Sequence, residues 1–368
     1  MAGETSDDQP ARPPGWRSKP VRVLASVLIG ALSVAALFYV APLQEVWHQI
    51  ERMSPGWVAA AVIFELASCL SYVILFRRVF PEPPQGVGRQ VAWMAMGAGA
   101  VLPGGNISSA AATGVLLRNH GIGLRPLVAR CAALLCLLTA FGFLVNGAAG
   151  VLLLLGVPGG PHDISHAGVP ILVSVVTLSG AWLTVVWARR LGPGAPKALR
   201  GIAEGMQGAW ASLREPHWRL VGGAGFFLLD IGALWAACAA TGHHLGALAV
   251  IIAYCIGYLA TTIPMPAGLG VLDSGLAAAL VLYGMKPAAS VGAVLVYHAI
   301  SIWVPGAGGL LAWLPTRLGA LARARRAAEG AVTAGGVSGV GAATAGTVSG
   351  LPAVPVARGY ALADADDR

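Results

Sequence analysis

Two acidic residues lie in the middle of long apolar segments, where a charged side chain is costly. Glu65 stands near the centre of Trp57–Phe76, and Asp230 stands near the centre of Leu220–Ala240. A charge at the centre of a membrane helix costs at least about 2.5–3.5 kcal/mol. Two interpretations follow. The carboxylates face a polar cavity, where they grip a cationic headgroup or carry protons, or they are protonated or hydrogen-bonded side chains that fix helix packing.

Three further ionisable residues are candidates for binding, each with a simpler explanation beside it. Asp273 comes near the start of an apolar segment, where the helix dipole alone favours a carboxylate. His298 lies within the last long apolar segment and is otherwise a packing residue with satisfied ring nitrogens. Arg118 suits a lipid phosphate, or it simply follows the tendency of basic residues to remain on the cytoplasmic side.

The apolar pattern is interrupted twice in a similar way. A Pro-Gly-Gly sequence begins at Pro103, a Pro-Ala-Gly sequence begins 163 residues later at Pro266, and a glycine follows each proline by 18 residues. Broken helices of this kind form the binding sites of many transporters, because the exposed backbone needs polar partners. Ordinary loop turns between short helices are the alternative. The predicted binding residues at the breaks are Pro103, Gly104, Gly105, Asn106, Pro266, Gly268 and Gly270.

The composition places the chain in a membrane, since 56% of its residues are hydrophobic and only 11% are charged. Its mean hydropathy is +0.72. Apolar runs of about 20 residues match the hydrocarbon thickness of a bilayer.

The predicted full spans are Val21–Leu43, Trp57–Phe76, Leu127–Leu155, Val169–Ala188, Leu220–Ala240 and Ser290–Leu314. The arms of the second break, Leu245–Ile263 and Leu269–Tyr283, are either re-entrant or two more crossings. The predicted fold is therefore an all-α polytopic membrane protein with six full spans and two broken or re-entrant helical hairpins, giving up to eight crossings.

Basic residues set the predicted orientation. They concentrate after the second span, before the third, in the central loop 189–218 and after the last span, whereas the alternate loops contain almost none. Because basic residues favour the cytoplasmic side, both termini are predicted to be cytoplasmic, in the cytoplasmic (inner) membrane. The halves 21–188 and 219–315 then run in opposite directions, so we predict an inverted repeat.

The flanking segments differ from the membrane region 21–315. Residues 1–20 and 316–368 are poor in large apolar side chains, so both are predicted to be disordered and cytoplasmic. The basic start of the tail is expected to hold anionic lipid. The apolar segments carry no clustered metal-ligand pattern, and no soluble catalytic domain is visible. We therefore expect no enzyme activity, metal, cofactor or nucleic-acid partner.

Two motifs resemble those of a known family. The run IPMPAGLGVLD at Ile263–Asp273, with LVYH at Leu295–His298 and PGAGG at Pro305–Gly309, resembles the membrane region of lysylphosphatidylglycerol synthases and related flippase-like membrane proteins. The earlier LPGGN at Leu102–Asn106, followed by LLRNHG at Leu116–Gly121, is similar to that family's first motif. The resemblance covers roughly residues 20 to 315.

The resemblance implies that this chain binds or moves a lipid. Some family members flip an aminoacylated phospholipid made by a synthetase domain that follows the membrane region, where this sequence has only a short tail. We therefore expect no lysyl-lipid synthesis by this chain. The family commonly has an acidic residue at Asn106, an arginine at Ser109, a glutamate at Asp273 and an arginine at His298. These replacements imply a different substrate or a loss of transport.

We therefore predict a lipid flippase or lipid-binding transporter for a phospholipid or a lipid-linked sugar. In this hypothesis Glu65 and Asp230 set the polarity of the site, and Arg118 engages phosphate from the cytoplasm. The alternative is a membrane partner that does not transport. Such a protein would recruit or regulate a glycosyltransferase or lipid synthase through the central loop and tail.

Overall fold

The computed structural model of the chain describes residues 43–102, 105–118, 121–157, 164–191, 196–215, 217–260 and 271–336. Eleven α-helices and one 3-10 turn account for nearly all of these residues, and no strand occurs among them. The all-α class is thus confirmed. The helices are α1 Leu43–Glu51, α2 Pro55–Val79, α3 Gln85–Val101, α4 Asn106–Arg118, α5 Leu124–Leu154, α6 Ile164–Leu191, α7 Lys197–Arg214, α8 Val221–Ala240, α9 Ala247–Ala260, α10 Val271–Leu282 and α11 Pro287–Gly336.

Five segments of the described chain are long and apolar enough to cross a membrane. They correspond to five of the six predicted full spans, and the sixth, Val21–Leu43, lies almost wholly outside the described residues. A helix of about 20 residues reaches across the hydrocarbon core. The five segments are Pro55–Val79, Leu124–Leu154, Pro170–Leu191, Trp218–Ala240 and Pro287–Pro315.

The arms beside both sequence breaks are shorter helices. On the first hairpin α3 has 17 residues and α4 has 13, and on the second α9 has 14 and α10 has 12. At a rise of about 1.5 Å per residue, the two arms of the second hairpin are each shorter than the roughly 30 Å hydrocarbon core. The turn 261–270 lies outside the described residues, so the number of crossings stays a prediction.

Each hairpin packs against a long helix of the other half. In the first hairpin, Gly97 of α3 lies against α11, where an added Cβ would come within 2.8 Å of the Pro305 carbonyl oxygen and 3.0 Å of the Gly309 Cα. In the second, α9 places Leu248 and Ile252 in an apolar cluster with Ala149 and Leu153 of α5. Each hairpin thus contacts the opposite half of the chain, and the inverted repeat itself stays a prediction.

Helices α2 and α8 pack along their length and form the centre of the membrane region. Small residues allow this approach, because glycine and serine let two helix backbones come close. An added Cβ at Gly222 would lie 2.9 Å from the Leu75 amide nitrogen. Nearby, the Ser68 hydroxyl donates to the Phe226 carbonyl oxygen at 2.8 Å. The two helices are therefore joined by backbone contact as well as by side chains.

A buried asparagine joins α5 to α6. The Asn146 side-chain amide donates to the Pro170 carbonyl oxygen at 3.1 Å and to the Ser174 hydroxyl at 3.0 Å. Pro170 lies inside α6, where the missing amide hydrogen interrupts the helical ladder. Asn146 thus ties α5 to α6 beside this proline.

Replacing Asn146 by leucine is expected to destabilise the protein by about 1–2 kcal/mol, because two interhelical hydrogen bonds are lost. Thermal unfolding in detergent, followed by circular dichroism, measures the effect. Ser174→Ala removes only one of the two contacts and should cost less than Asn146→Leu. An Asn146→Leu protein as stable as the wild type would contradict the assigned role.

The end of α11 differs from the sequence prediction. Residues 316–336 are helical in the structure, whereas the tail 316–368 was expected to be disordered throughout. Alanine and arginine are the commonest helix-forming residues of this stretch, and both have high helix propensity, so low hydrophobicity alone was a poor guide. The chain divides into two compact units, Met1–Thr316 and Arg317–Arg368. The predictions for 1–20 and 337–368 fall outside the described residues.

Candidate functional site

Glu65 of α2 and Asp230 of α8 meet at the interface of the two central helices. Their carboxyl groups lie within hydrogen-bonding reach of each other, and the residues are 5% and 8% exposed. The Glu65 Oε1 atom also accepts a weak contact from the Cys69 thiol at 3.8 Å. The structure therefore brings the two acidic residues singled out by the sequence into one buried cluster.

Two tyrosines complete this cluster, and both donate to Asp230. The Tyr297 hydroxyl of α11 donates to Oδ1 at 2.9 Å, and the Tyr254 hydroxyl of α9 donates to Oδ2. We call Glu65, Asp230, Tyr254 and Tyr297 the carboxyl cluster. Its side chains come from α2 in the first half of the chain and from α8, α9 and α11 in the second half. The cluster therefore connects the two halves.

The chemistry of the carboxyl cluster follows from its donors. Both Asp230 oxygens already accept a hydroxyl hydrogen, and two carboxyl groups form a hydrogen bond only when one of them carries a proton. Glu65 is the carboxyl placed to donate that proton, because its Oε2 atom has no donor among the described residues. The cluster can thus hold one proton and one negative charge out of contact with water, and it can exchange hydrogen bonds with a polar ligand.

Asp273 and His298 form a second polar pair at the beginning of α10. The His298 Nδ1 atom lies 3.0 Å from the Asp273 Oδ1 atom, and both side chains are largely buried. The contact between α10 and α11 is reinforced by Ser290 of α11, whose hydroxyl donates to the Ala277 carbonyl oxygen of α10 at 2.8 Å. His298 follows Tyr297 directly along α11, so the second pair is adjacent in sequence to the carboxyl cluster.

A double-mutant cycle tests this second pair. Asp273→Asn and His298→Gln should each destabilise the protein, and the double variant should cost less than the sum, with a coupling of about 1–3 kcal/mol. The reason is that each single change leaves a buried polar partner unpaired. Chemical unfolding in detergent supplies the four free energies. Losses that add within about 0.5 kcal/mol would show that the pair is not coupled.

Residues at the first break lie at the start of α4. Gly105 has a φ of +50°, a left-handed conformation that glycine adopts without strain, and its carbonyl oxygen accepts the Ser109 amide at 3.0 Å. The Ser109 side chain reaches the buried Tyr72 hydroxyl of α2. Asn106 is exposed as the first residue of α4, and Arg118 is exposed as its last. Among the described contacts, none brings these two into the carboxyl cluster.

The remaining predicted binding residues cannot be placed. Pro103 and Gly104 of the first break lie outside the described residues, as do Pro266, Gly268 and Gly270 of the second. Their assignment to a binding site stays a prediction. Asp273, three residues after Gly270, is the nearest site residue to the second break that the structure describes.

Sequence reasoning missed the two tyrosines and Asn146. Tyr254 lies in an apolar run that reads as an ordinary span, and tyrosine occurs in such runs as a packing residue. Tyr297 had a usable signal, because it directly precedes His298, which the sequence had already marked as a binding candidate. Asn146 had a signal of its own, since a lone amide in a 31-residue apolar helix needs a partner in hydrocarbon.

Long apolar helices, short hairpins and buried carboxyls together define a polytopic helical membrane protein. Within that class, the chain belongs to the family described as the lysylphosphatidylglycerol synthase TM region, which matches residues 23–309. The resemblance seen in the sequence motifs is thereby confirmed. No curated protein matches the chain. Family and helical character together make it a membrane protein of lipid metabolism or transport.

Proposed function

We propose that this protein binds a phospholipid or lipid-linked sugar between its two halves and helps the headgroup to cross the cytoplasmic membrane. The observation that carries the proposal is the carboxyl cluster, in which Glu65 and Asp230 meet in the middle of the two central helices. Ionisable groups are costly in hydrocarbon and commonly mark a substrate or proton path. Family membership supports a lipid as the cargo.

The cluster supplies the groups that a headgroup needs on its way. In the proposed mechanism a hydroxyl or amine of the headgroup donates a hydrogen bond to Asp230 in place of one tyrosine hydroxyl. The proton shared with Glu65 limits the negative charge of the two carboxyl groups. Hydrogen bonds to charged groups contribute about 1.5–3 kcal/mol each. One or two of them therefore offset a substantial part of the cost of removing a polar headgroup from water.

The packing of the hairpins provides a route for movement in this proposal. Each hairpin lies against a long helix of the opposite half, at Gly97 against α11 and at Leu248 and Ile252 against α5. In transporters with inverted repeats, access alternates when one repeat rocks against the other around a fixed site. The hairpins are proposed to move in this way, with Arg118 at the cytoplasmic end of α4 receiving the phosphate.

Reconstitution into liposomes tests the proposed function. Purified protein is incorporated into vesicles that contain fluorescent lipids of several headgroup classes: anionic, zwitterionic, aminoacylated and sugar-linked. Loss of fluorescence on addition of a membrane-impermeant reductant then reports the fraction of lipid that has reached the outer leaflet. We expect at least one class to cross faster than in protein-free vesicles and in vesicles that hold an unrelated helical membrane protein. Equal rates for every class in all three preparations would refute transport.

A further inference from the structure

Three arginines come together at the basic end of the two central helices. Arg77 lies at the end of α2, Arg219 lies in the 3-10 turn before α8, and Arg89 lies in the first turns of α3. The guanidinium groups of Arg219 and Arg89 are close enough to repel that of Arg77, while an Arg219 Nη1 hydrogen bond to the Arg77 carbonyl oxygen, at 3.3 Å, fixes the backbone. A counter-ion bound here would lower the repulsion among the three charges.

No protein carboxylate supplies that counter-ion within the described part of the chain. The nearby acidic side chains are already paired with other arginines: Glu215 with Arg78 at 2.9 Å, and Glu82 with Arg130. The Arg77 Nη1 atom is buried and has no hydrogen-bond partner among the described residues. A buried guanidinium nitrogen without an acceptor costs free energy, so the protein itself does not compensate this charge, and Arg77 as a whole is only half-buried.

The backbone adds to the positive potential at the same place. Arg77 lies over the first turn of α3, where its Nη1 atom is 3.1 Å from the position that a Cβ on Gly88 would occupy. The first turn of a helix has free amide groups and a partial positive charge, which normally repels an arginine and attracts an anion. The absence of a side chain at Gly88 leaves room for the guanidinium group at this end of α3.

We infer that Arg77, Arg89 and Arg219 form a binding site for a phosphate group, carried either by an anionic lipid headgroup or by free phosphate. Arginine forks match phosphate oxygens. Trp218 next to the site is 65% exposed and stacks with Arg219, and an exposed tryptophan suits the headgroup level of a membrane. The site requires neither lipid transport nor the carboxyl cluster, so its failure and that of the proposed function are distinguishable.

Binding measured on the purified full chain tests this inference. Dioctanoylphosphatidylglycerol, dioctanoylphosphatidylcholine and inorganic phosphate are each titrated and followed by microscale thermophoresis. Saturable binding of phosphatidylglycerol, with phosphatidylcholine at least about tenfold weaker, identifies an anionic lipid as the ligand. Saturable binding of inorganic phosphate at comparable concentration identifies free phosphate instead. Either result supports the site, and saturation by none of the three overturns it.

Variants assign the binding to the cluster. Arg77→Gln and Arg219→Gln should each weaken binding by at least about fivefold, as expected for a lost charge-assisted contact. Arg89 is exposed, so Arg89→Gln keeps the test valid if the two more buried variants misfold. Arg189→Gln, at an exposed arginine on another helix, should change affinity less than twofold. The inference fails if Arg89→Gln binds like the wild type, or if Arg189→Gln loses as much.

Discussion

A Gly222→Val variant is expected to yield little or no folded protein. The side chain would be placed between α8 and α2, with its Cβ 2.9 Å from the Leu75 amide nitrogen and still closer to the Ser71 carbonyl oxygen. Both are backbone atoms, so neither can rotate away and the helices must separate. Overpacking a well-filled core typically costs about 1–3 kcal/mol, and separation also breaks the hydrogen bond between Ser68 and Phe226.

Fluorescence-detected size-exclusion chromatography of tagged protein measures this effect as the height of the monodisperse peak before and after heating. Gly180 of α6 provides the matched control, because nothing lies within 4 Å of a Cβ added there. Gly180→Val should elute like the wild type. A Gly222→Val protein with wild-type yield and thermal stability would show that α2 and α8 do not pack as described.

An Asp230→Leu variant is expected to lose about 2–5 kcal/mol of stability. Leucine removes the acceptor of the Tyr254 and Tyr297 hydroxyls and the neighbour of Glu65, and each buried polar group left without a partner costs about 1–3 kcal/mol. Asp230→Asn retains an acceptor oxygen and can donate to Glu65, so it should cost less.

A second change separates lost hydrogen bonding from altered shape. In the Asp230→Leu background, Tyr297→Phe removes one unsatisfied hydroxyl and should recover about 1 kcal/mol. In the wild-type background, the same substitution should be destabilising. Unfolding in detergent, followed by circular dichroism, gives the four values. If Tyr297→Phe has the same effect in both backgrounds, Tyr297 does not depend on Asp230.

Long apolar runs made most of the membrane architecture predictable. A segment such as Leu124–Leu154 admits few alternatives once its length and hydropathy are known, and the two sequence breaks correctly indicated short helices on either side. The extension of α11 to Gly336 was not predicted. Its low hydrophobicity suggested disorder, whereas its alanine and arginine content favours a helix.

Contacts between helices were the part that sequence could not supply. Glu65 and Asp230 were recognised as comparable, but their meeting depends on the close approach of α2 and α8. That approach occurs at Gly222 and Gly225, two of the 50 glycines in the chain, and the sequence does not show which helix lies against them. The partners of Asp230 were missed for the same reason, because Tyr254 lies 24 residues away on another helix.

The central claim is that the pairing of Glu65 with Asp230 serves lipid movement as well as helix packing. The most direct measurement is the rate of lipid crossing in liposomes for Glu65→Gln, Asp230→Asn and the double variant, each first shown to be folded and monodisperse. These changes retain side-chain shape while preventing the shared proton, and Glu51→Gln, at an exposed carboxylate on α1, serves as the control. We predict that each single variant slows crossing at least about tenfold, which corresponds to roughly 1.4 kcal/mol in the barrier. The double variant should be little slower than either single variant. With Glu51→Gln, lipid should cross at the wild-type rate. Wild-type rates in all three folded cluster variants would contradict the account.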